Sequence, residues 1–503
     1  MRVDQWPLRD LLRPVDPLLG AMGRRYGAFM WTVRHGSPDL LADFGRWRAV
    51  RAAFDARRRV PAYGRFLADH GVTDADIATL RLPETDKDNY IRRFTIDERC
   101  VGGALPTSKV AIDESSGSTG VPYNWVRSLD ERSTSHTFVS HFARYCFGDE
   151  PFITINAFSM GAWATGVNMG IALQHNGVVK NTGPDIDKIL HTLDFLGPHR
   201  TYLVCGYPPF LKLLIDTAAE RSFPLEKFRL MGLVGGEGMS EGLRDYLSAR
   251  FQPVHSGFGA TDLEIGIAGE TPTTVAIRQA ARSDPELRAA LFGDDPRLPM
   301  MFHYNPLSHY VETNDRGELV FTICRLELLS PRIRYNVHDA GGIATFAEVN
   351  DRIRAAGRDP AEFFEDTPVR LPFLWIYGRK DSTVSVMGAN IYPEDVEQAL
   401  YDEPELAAVT TSFCIGLVDE ADGGVRPSFS FEVREGATDE LRSTFAARIT
   451  ERIRSSNADF RTALEEHRAS VLPDVRLYPA GAGPFAQDAG RIKQARIISV
   501  AVR

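Results

Sequence analysis

Between residues 108 and 345, short apolar runs alternate with glycine-rich turns and helix-start signals. Thr201-Tyr202-Leu203-Val204-Cys205 reads as a strand that enters a helix at Pro208. Leu230 to Val234 reads as another, closed by Gly235-Gly236-Glu237. Ser240 then caps a helix with Leu243, Tyr246, Leu247 and Phe251 at helical spacing. Strands that alternate with helices form a largely parallel sheet covered on both faces. The pattern therefore confines the chain to the α/β class and directs ligands to the carboxyl ends of the strands. A hairpin is expected from His309 to Cys324, turning at Asn314-Asp315-Arg316-Gly317.

One turn carries more chemistry than the rest. Ser115-Ser116-Gly117-Ser118-Thr119-Gly120 packs four hydroxyls and two glycines into six residues. It follows the strand-like Lys109-Val110-Ala111-Ile112 and precedes a helix whose start, Ser128 with Glu131, fits a capping box. Glycines allow successive N–H groups to form a concave anion nest, and hydroxyls add donors for phosphate oxygens. A Walker loop is excluded, because Gly120 is followed by Val121-Pro122-Tyr123 with no lysine. The run reads as a polyphosphate cradle, with a plain surface loop as the alternative.

The flanking regions differ in character. Residues 1 to about 100 read as mostly helical, with a basic stretch (Arg46, Arg48, Arg51, Arg57, Arg58, Arg59) taken as a solvated face beside acids. After Tyr377, Pro393 opens a helix with an acidic first turn. Val409 to Val418 and Pro427 to Val433 read as strands, and a long helix is expected over about 438–468. The expected organisation is a large domain over 1–378, of mixed or parallel sheets covered by helices. A small α+β domain over 379–503 follows, joined through Gly378-Arg379-Lys380-Asp381.

Composition narrows the function classes. The net charge of −9 over 503 residues argues against nucleic-acid or membrane-surface partners. No apolar run approaches the roughly 20 residues of a membrane span, and the N-terminus lacks a signal-peptide core. Cys100, Cys146, Cys205, Cys324 and Cys414 are scattered without metal-ligand spacing, which suits a reducing compartment. A cytoplasmic location is expected.

Five segments in order then carry a resemblance: SSGSTGVP (115–122), GGE (235–237), GFGATD (257–262), RIRYNVHD (332–339) and YGRKD…MGANIYPEDVE (377–397). Together they resemble the adenylate-forming superfamily of acyl-CoA synthetases, adenylation domains and luciferase. Leu82-Pro83-Glu84-Thr85-Asp86-Lys87 matches an element of its phenylacetate–coenzyme A ligase-like branch. The resemblance implies ATP-dependent activation of a carboxylic acid as an acyl-adenylate, with release of pyrophosphate. Transfer to a second nucleophile follows, for which coenzyme A is a candidate. It implies that Ser115 to Gly120 hold the β- and γ-phosphates and that Thr261 contacts the α-phosphate. Gly235, Gly236, Glu237, Phe258 and Gly259 would form the adenine pocket, and Asp339 with Arg379 would reach the ribose. Asp262 would hold Mg2+, with Glu264 as a substitute. Asp381 would be the hinge, and Gly388 would line a pantetheine tunnel. A homodimer is a candidate assembly.

Two departures from the family stand out. Its adenylation lysine is replaced by Arg491, with Lys493 two residues later. The cysteine-rich zinc cluster of some relatives has no counterpart, so no structural zinc is expected. The acid pocket is expected at Phe158, Met160, Trp163 and Gly257, whose aromatic character favours an aryl acid. Two alternatives remain: activation of nitrite or coupling to an amine, and a nucleotide-binding relative without catalysis.

Overall fold

The computed structural model describes residues 9–114, 123–162, 164–293, 295, 297–379, 384–386, 389–419, 425–434, 436–466, 468–486 and 496–500. An 11-stranded sheet forms the spine of the large domain. Phe152–Asn156 pairs in parallel with Gly177–Asn181 on one side and Thr201–Gly206 on the other. The parallel run continues through Arg229–Gly235 to Phe251–Phe258. Intervening helices, among them Ala164–Leu173, Ile186–Leu196, Pro208–Glu220 and Glu241–Ser248, supply the crossovers that parallel pairing demands.

The other half of the sheet is antiparallel, so the sheet is of the mixed form, one of the two expected. Ala268–Gly269 reverses direction against Phe251–Phe258. Met300–Tyr304, Phe373–Arg379, Tyr335–Ala344, Glu318–Ile323 and His309–Thr313 follow in antiparallel order. The expected hairpin lies at this edge, where Asn314 and Gly317 make a tight turn between the last two strands.

The hydroxyl-rich run also connects different elements from those expected. It joins two antiparallel strands, Val110–Glu114 and Asn124–Ser128, which stand apart from the main sheet. The helix Leu129–Phe147 begins only after the second strand. Ser128 Oγ does accept from Glu131 N at 3.1 Å, but the return half of the capping box is absent. The Glu131 carboxylate instead accepts from Leu329 N at 2.8 Å.

The small domain has its own core, built on Phe413, Ile415, Phe429, Phe431, Phe445 and Ile449. The strands Asp474–Pro479, Val425–Val433, Thr410–Asp419 and Ile497–Val500 form its sheet. The long helix expected over 438–468 is divided at Asn457. Its Oδ1 accepts from Phe460 N at 2.9 Å to start the second piece, and its Nδ2 donates to Asp395 at 2.8 Å. Charged contacts join the two domains. Buried Lys212 donates to Asp216 and to the Thr410 carbonyl, both at 2.8 Å, and Arg434 reaches Asp216 at 2.6 Å. Ser240 N donates to Glu397 at 3.0 Å.

The N-terminal helices Tyr26–His35, Pro38–Arg59 and Pro61–Asp69 pack beside this body. Their basic stretch is matched by acids: Arg48 and Arg51 pair with Asp16, Arg57 with Asp74, and Arg58 and Arg59 with Asp55. No helix of the described residues is long and apolar enough to cross a membrane.

Candidate active site

A cavity of about 740 Å³ opens where the parallel strands end and extends between the two domains. Gly235, Gly236 and Glu237 line it as the parallel strand Arg229–Gly235 ends. Gly236 has φ 82°, and a Cβ there would stand 2.6 Å from the Tyr207 ring, so glycine is required. The neighbouring strand ends in Gly257 and Phe258, and Phe258 lies against Phe302 and Phe321 with ring centroids 6.0 Å apart. Gly259, Thr261 and Asp262 continue the lining.

The turn after Gly259 is held from behind by two buried arginines. Arg127 donates to the carbonyls of Thr261 and Leu263, both at 2.5 Å, and pairs with Asp113 at 2.7 Å. Arg332 donates to the Asp262 carbonyl at 2.8 Å, and burial lowers its pKa to about 10. Asp113 belongs to the strand that leads into the hydroxyl-rich run, so Arg127 ties that strand to the turn carrying Thr261.

Asp262 and Glu264, two residues apart, have different surroundings. Asp262 faces the cavity, where its Oδ2 accepts from Tyr335 Oη at 3.1 Å and pairs with Lys87 Nζ at 3.0 Å. Glu264 does not line the cavity. Its carboxylate is enclosed by Arg325, His309 Nε2 at 2.6 Å and Ser135 Oγ at 2.6 Å. Burial opposes its charge, but Arg325 and its hydrogen-bond partners hold the carboxyl well below the usual range. Asp262 fits a magnesium ion, which takes one or two protein carboxylates and completes its shell from phosphate and water. Glu264, already satisfied behind the wall, does not. No cluster of three or more His, Cys, Asp or Glu side chains suited to a metal occurs among the described residues.

Asp339 lines the cavity and stands directly opposite Arg379 in the antiparallel pairing of Tyr335–Ala344 with Phe373–Arg379. The register thus places the two expected ribose residues side by side on the sheet. Of the expected acid pocket, Phe158 and Gly257 line the cavity, whereas Met160 packs against Gly183 outside it. Ser115, Ser116, Gly117, Ser118, Thr119, Gly120, Trp163, Asp381, Gly388, Arg491 and Lys493 lie outside the described residues, as does the Arg379 side chain.

Lys87 carried no assigned role in the sequence. Its only signal was its place at the end of the Leu82–Lys87 element, and its side chain now lies in the cavity. Glu394 and Asp395 carried none either. They enter the cavity from the first turn of the helix Pro393–Tyr401 in the small domain. Glu394 is reached by water in the cleft yet surrounded by protein, which pushes its carboxyl up to about 7. Burial raises Asp395 to about 6, against hydrogen bonds from Tyr392 N and Asn457.

These shifts have a testable sign. A carboxyl raised in the folded state stabilises fully below its unfolded value and loses that stabilisation as pH rises through the folded value. For Glu394 the window runs from 4.5 to about 7. His303, lowered by burial to about 4, acts in the opposite sense over part of this range, so a difference measurement is needed. The Tm advantage of Glu394→Gln over the unsubstituted protein is expected to grow between pH 5 and pH 7.5. A pH-independent difference would refute the assignment.

Comparison with known proteins agrees with this geometry. No family model matches the chain. Phenylacetate–coenzyme A ligase of Aromatoleum evansii is 23% identical over 381 residues, covering 75% of this chain and 74% of that protein. The crystal structure of 2-hydroxyisobutyryl-CoA ligase in the postadenylation state with 2-HIB-AMP superposes with a TM-score of 0.65 at 14% identity, covering 91% of this chain and 89% of that one. The same ligase in the thioesterification state, with 2-HIB-AMP and CoA, gives 0.55 at 14% identity over 93% and 91%. The chain is thus similar in sequence to phenylacetate–coenzyme A ligase and shares the fold of 2-hydroxyisobutyryl-CoA ligase.

Proposed function

We propose that the cavity binds ATP and a carboxylic acid, joins them as an acyl-adenylate with release of pyrophosphate, and passes the acyl group to the thiol of coenzyme A. The observation that carries this reading is the convergence of Gly235–Glu237, Phe258–Asp262 and Asp339 on one cavity that reaches the small domain. The acid carboxylate attacks the α-phosphorus, the bond to the bridging oxygen of pyrophosphate breaks, and pyrophosphate leaves with the electron pair. Such a step depends on positioning and on stabilising negative charge rather than on a protein nucleophile. Thr261 is assigned to the α-phosphate, and Ser115 to Gly120 to the leaving phosphates. Lys87 supplies a positive charge within the cavity. Magnesium, when bound at Asp262, would neutralise phosphate charge.

Asp339 is assigned to the ribose hydroxyls, because a carboxylate accepts at both oxygens. Arg379 is assigned to the same ribose, Asp381 to the hinge, and Arg491 or Lys493 to the adenylation cation. Coenzyme A as acceptor rests on the two relatives named above, both CoA ligases.

The test is a pyrophosphate-release screen over aryl, alkyl and amino acids, run with ATP and magnesium. Release with at least one acid, followed by a CoA thioester by mass spectrometry, is the expected result. Asp339→Ala should raise the KM for ATP about 100-fold, the loss of two hydrogen bonds to a charged acceptor. If ATP binds but no acid releases pyrophosphate, the proposal fails. A product formed only with nitrite and an arylamine, and none with CoA, would replace both the acid and the acceptor.

A further inference from the structure

Behind the cavity wall, three successive carbonyls of the turn after Gly259 accept from arginine. Those of Thr261 and Leu263 accept from the two Nη atoms of Arg127, both at 2.5 Å. That of Asp262, between them, accepts from Arg332 Nε at 2.8 Å. Asp113 accepts from Arg127 Nε at 2.7 Å, so all three nitrogens of this guanidinium are engaged. Arg127 comes from the strand Asn124–Ser128, and Arg332 stacks over Trp125 of the same strand, 4.8 Å from the ring centroid. Neither arginine lines the cavity, whereas Thr261 and Asp262 both do. The turn is also closed internally, by Leu263 N on the Ala260 carbonyl at 2.9 Å and Ala260 N on the Glu264 carbonyl at 3.2 Å.

Buried arginines that satisfy carbonyls ordinarily serve stability alone. Two observations carry these further. Arg332 makes no ion pair with a described residue, and its Nη2 is buried without a hydrogen-bond partner among them. An unpaired buried cation is costly, so stability by itself would favour an apolar side chain at this position. The second observation is the direction of the peptide units. In a planar trans peptide the C=O and N–H point opposite ways. With the Thr261 carbonyl held by Arg127, the N–H of Asp262 faces away from Arg127, and it donates to no described residue.

We propose that Arg127 and Arg332 are positioning residues of the adenylation step: they lock the peptide units of the turn so that Thr261 and the Asp262 N–H are already aimed at the α-phosphate when its charge develops. The inference rests on the adenylation reading and deepens it. A donor fixed before the reaction needs no reorganisation during it, so the clamp acts on the rate of the chemical step more than on ATP affinity. A guanidinium suits the task, because its planar fork reaches two carbonyls and a carboxylate together, which a compact ammonium does not.

The test measures kcat and the KM for ATP in pyrophosphate release, using an acid that the unsubstituted enzyme accepts, with Tm as the folding control. Arg127→Lys keeps a charge beside Asp113 but gives up the fork. It should lower kcat about 100-fold while the KM for ATP stays within about three-fold, the pattern of an interaction made in the transition state. Arg127→Met strands the Asp113 carboxylate and should lower Tm. Asp113→Asn combined with Arg127→Met removes both charges, and should recover Tm but not kcat. Arg332→Met breaks no ion pair and should lower kcat by about ten-fold or more. If the Arg127 variants fail to fold, Arg332→Met decides alone. A double variant that recovers kcat together with Tm would reduce Arg127 to the counter-charge of Asp113. That result, or an unchanged kcat in Arg127→Lys or Arg332→Met, overturns the proposal while leaving adenylation intact. Absence of pyrophosphate release from the unsubstituted protein with every acid removes the adenylation reading and this inference with it.

Discussion

Glu264→Ala is expected to lower the unfolding free energy by about 3–5 kcal/mol, the cost of breaking a buried ion pair by removing one partner. The carboxylate is 4% exposed and satisfies Arg325, His309 and Ser135 together. Its removal leaves the Arg325 guanidinium, itself 8% exposed, without its closest counter-charge. Glu264→Gln keeps the volume and one carbonyl acceptor but not the charge, and should lose most of the same stability. Denaturant unfolding followed by circular dichroism measures the loss. A magnesium ligand would give the opposite pattern: unchanged stability with an altered dependence of activity on magnesium concentration. That outcome would return Glu264 to the metal site from which its surroundings remove it.

Lys87→Ala is expected to lower the rate of pyrophosphate release about 100-fold or more while the protein remains folded. The estimate is that for removing one preorganised charge from a site where negative charge develops. Lys87 comes from the short helical turn Lys87–Ile91, and its side chain is one-third exposed, so its loss opens no core. The ammonium lies 3.0 Å from Asp262 and 5.9 Å from the Tyr123 ring, on the same side of the cavity as Thr261. Lys87→Arg keeps the charge but not the compact geometry, and is expected to fall between the two. Stopped-flow pyrophosphate release, with melting temperature as the folding control, decides it. A variant with the unsubstituted rate would mean that Lys87 only balances Asp262.

Several features were legible in the sequence because they are local. The periodicity of Leu230–Val234 and of Leu243, Tyr246 and Leu247 depends on neighbours within one element, and both occur as a strand and a helix, although that helix ends at Ser248 and Phe251 opens the next strand. Pro393 and Ser240 mark helix starts for the same reason. The hairpin at Asn314–Gly317 follows from turn chemistry alone. Elsewhere a local signal misled. Ser128 and Glu131 have the spacing of a capping box, yet Glu131 is drawn to the Leu329 amide, a partner far away in sequence. The helix expected over 438–468 breaks at an asparagine that is bound to Asp395 on another helix.

By itself, the sequence determined the α/β class and the order of the glycine-rich motifs. Those depend on short-range periodicity and on residue types whose geometry is narrow. Only the tertiary structure decided which strands of the mixed sheet run antiparallel and that Asp339 stands opposite Arg379, because strand direction and register are set by which strands meet. It alone brought Lys87 to Asp262 and turned Glu264 away from the cavity. Each of these is a contact between distant segments, and its stabilisation comes from burial and charge pairing that no local stretch of chain encodes.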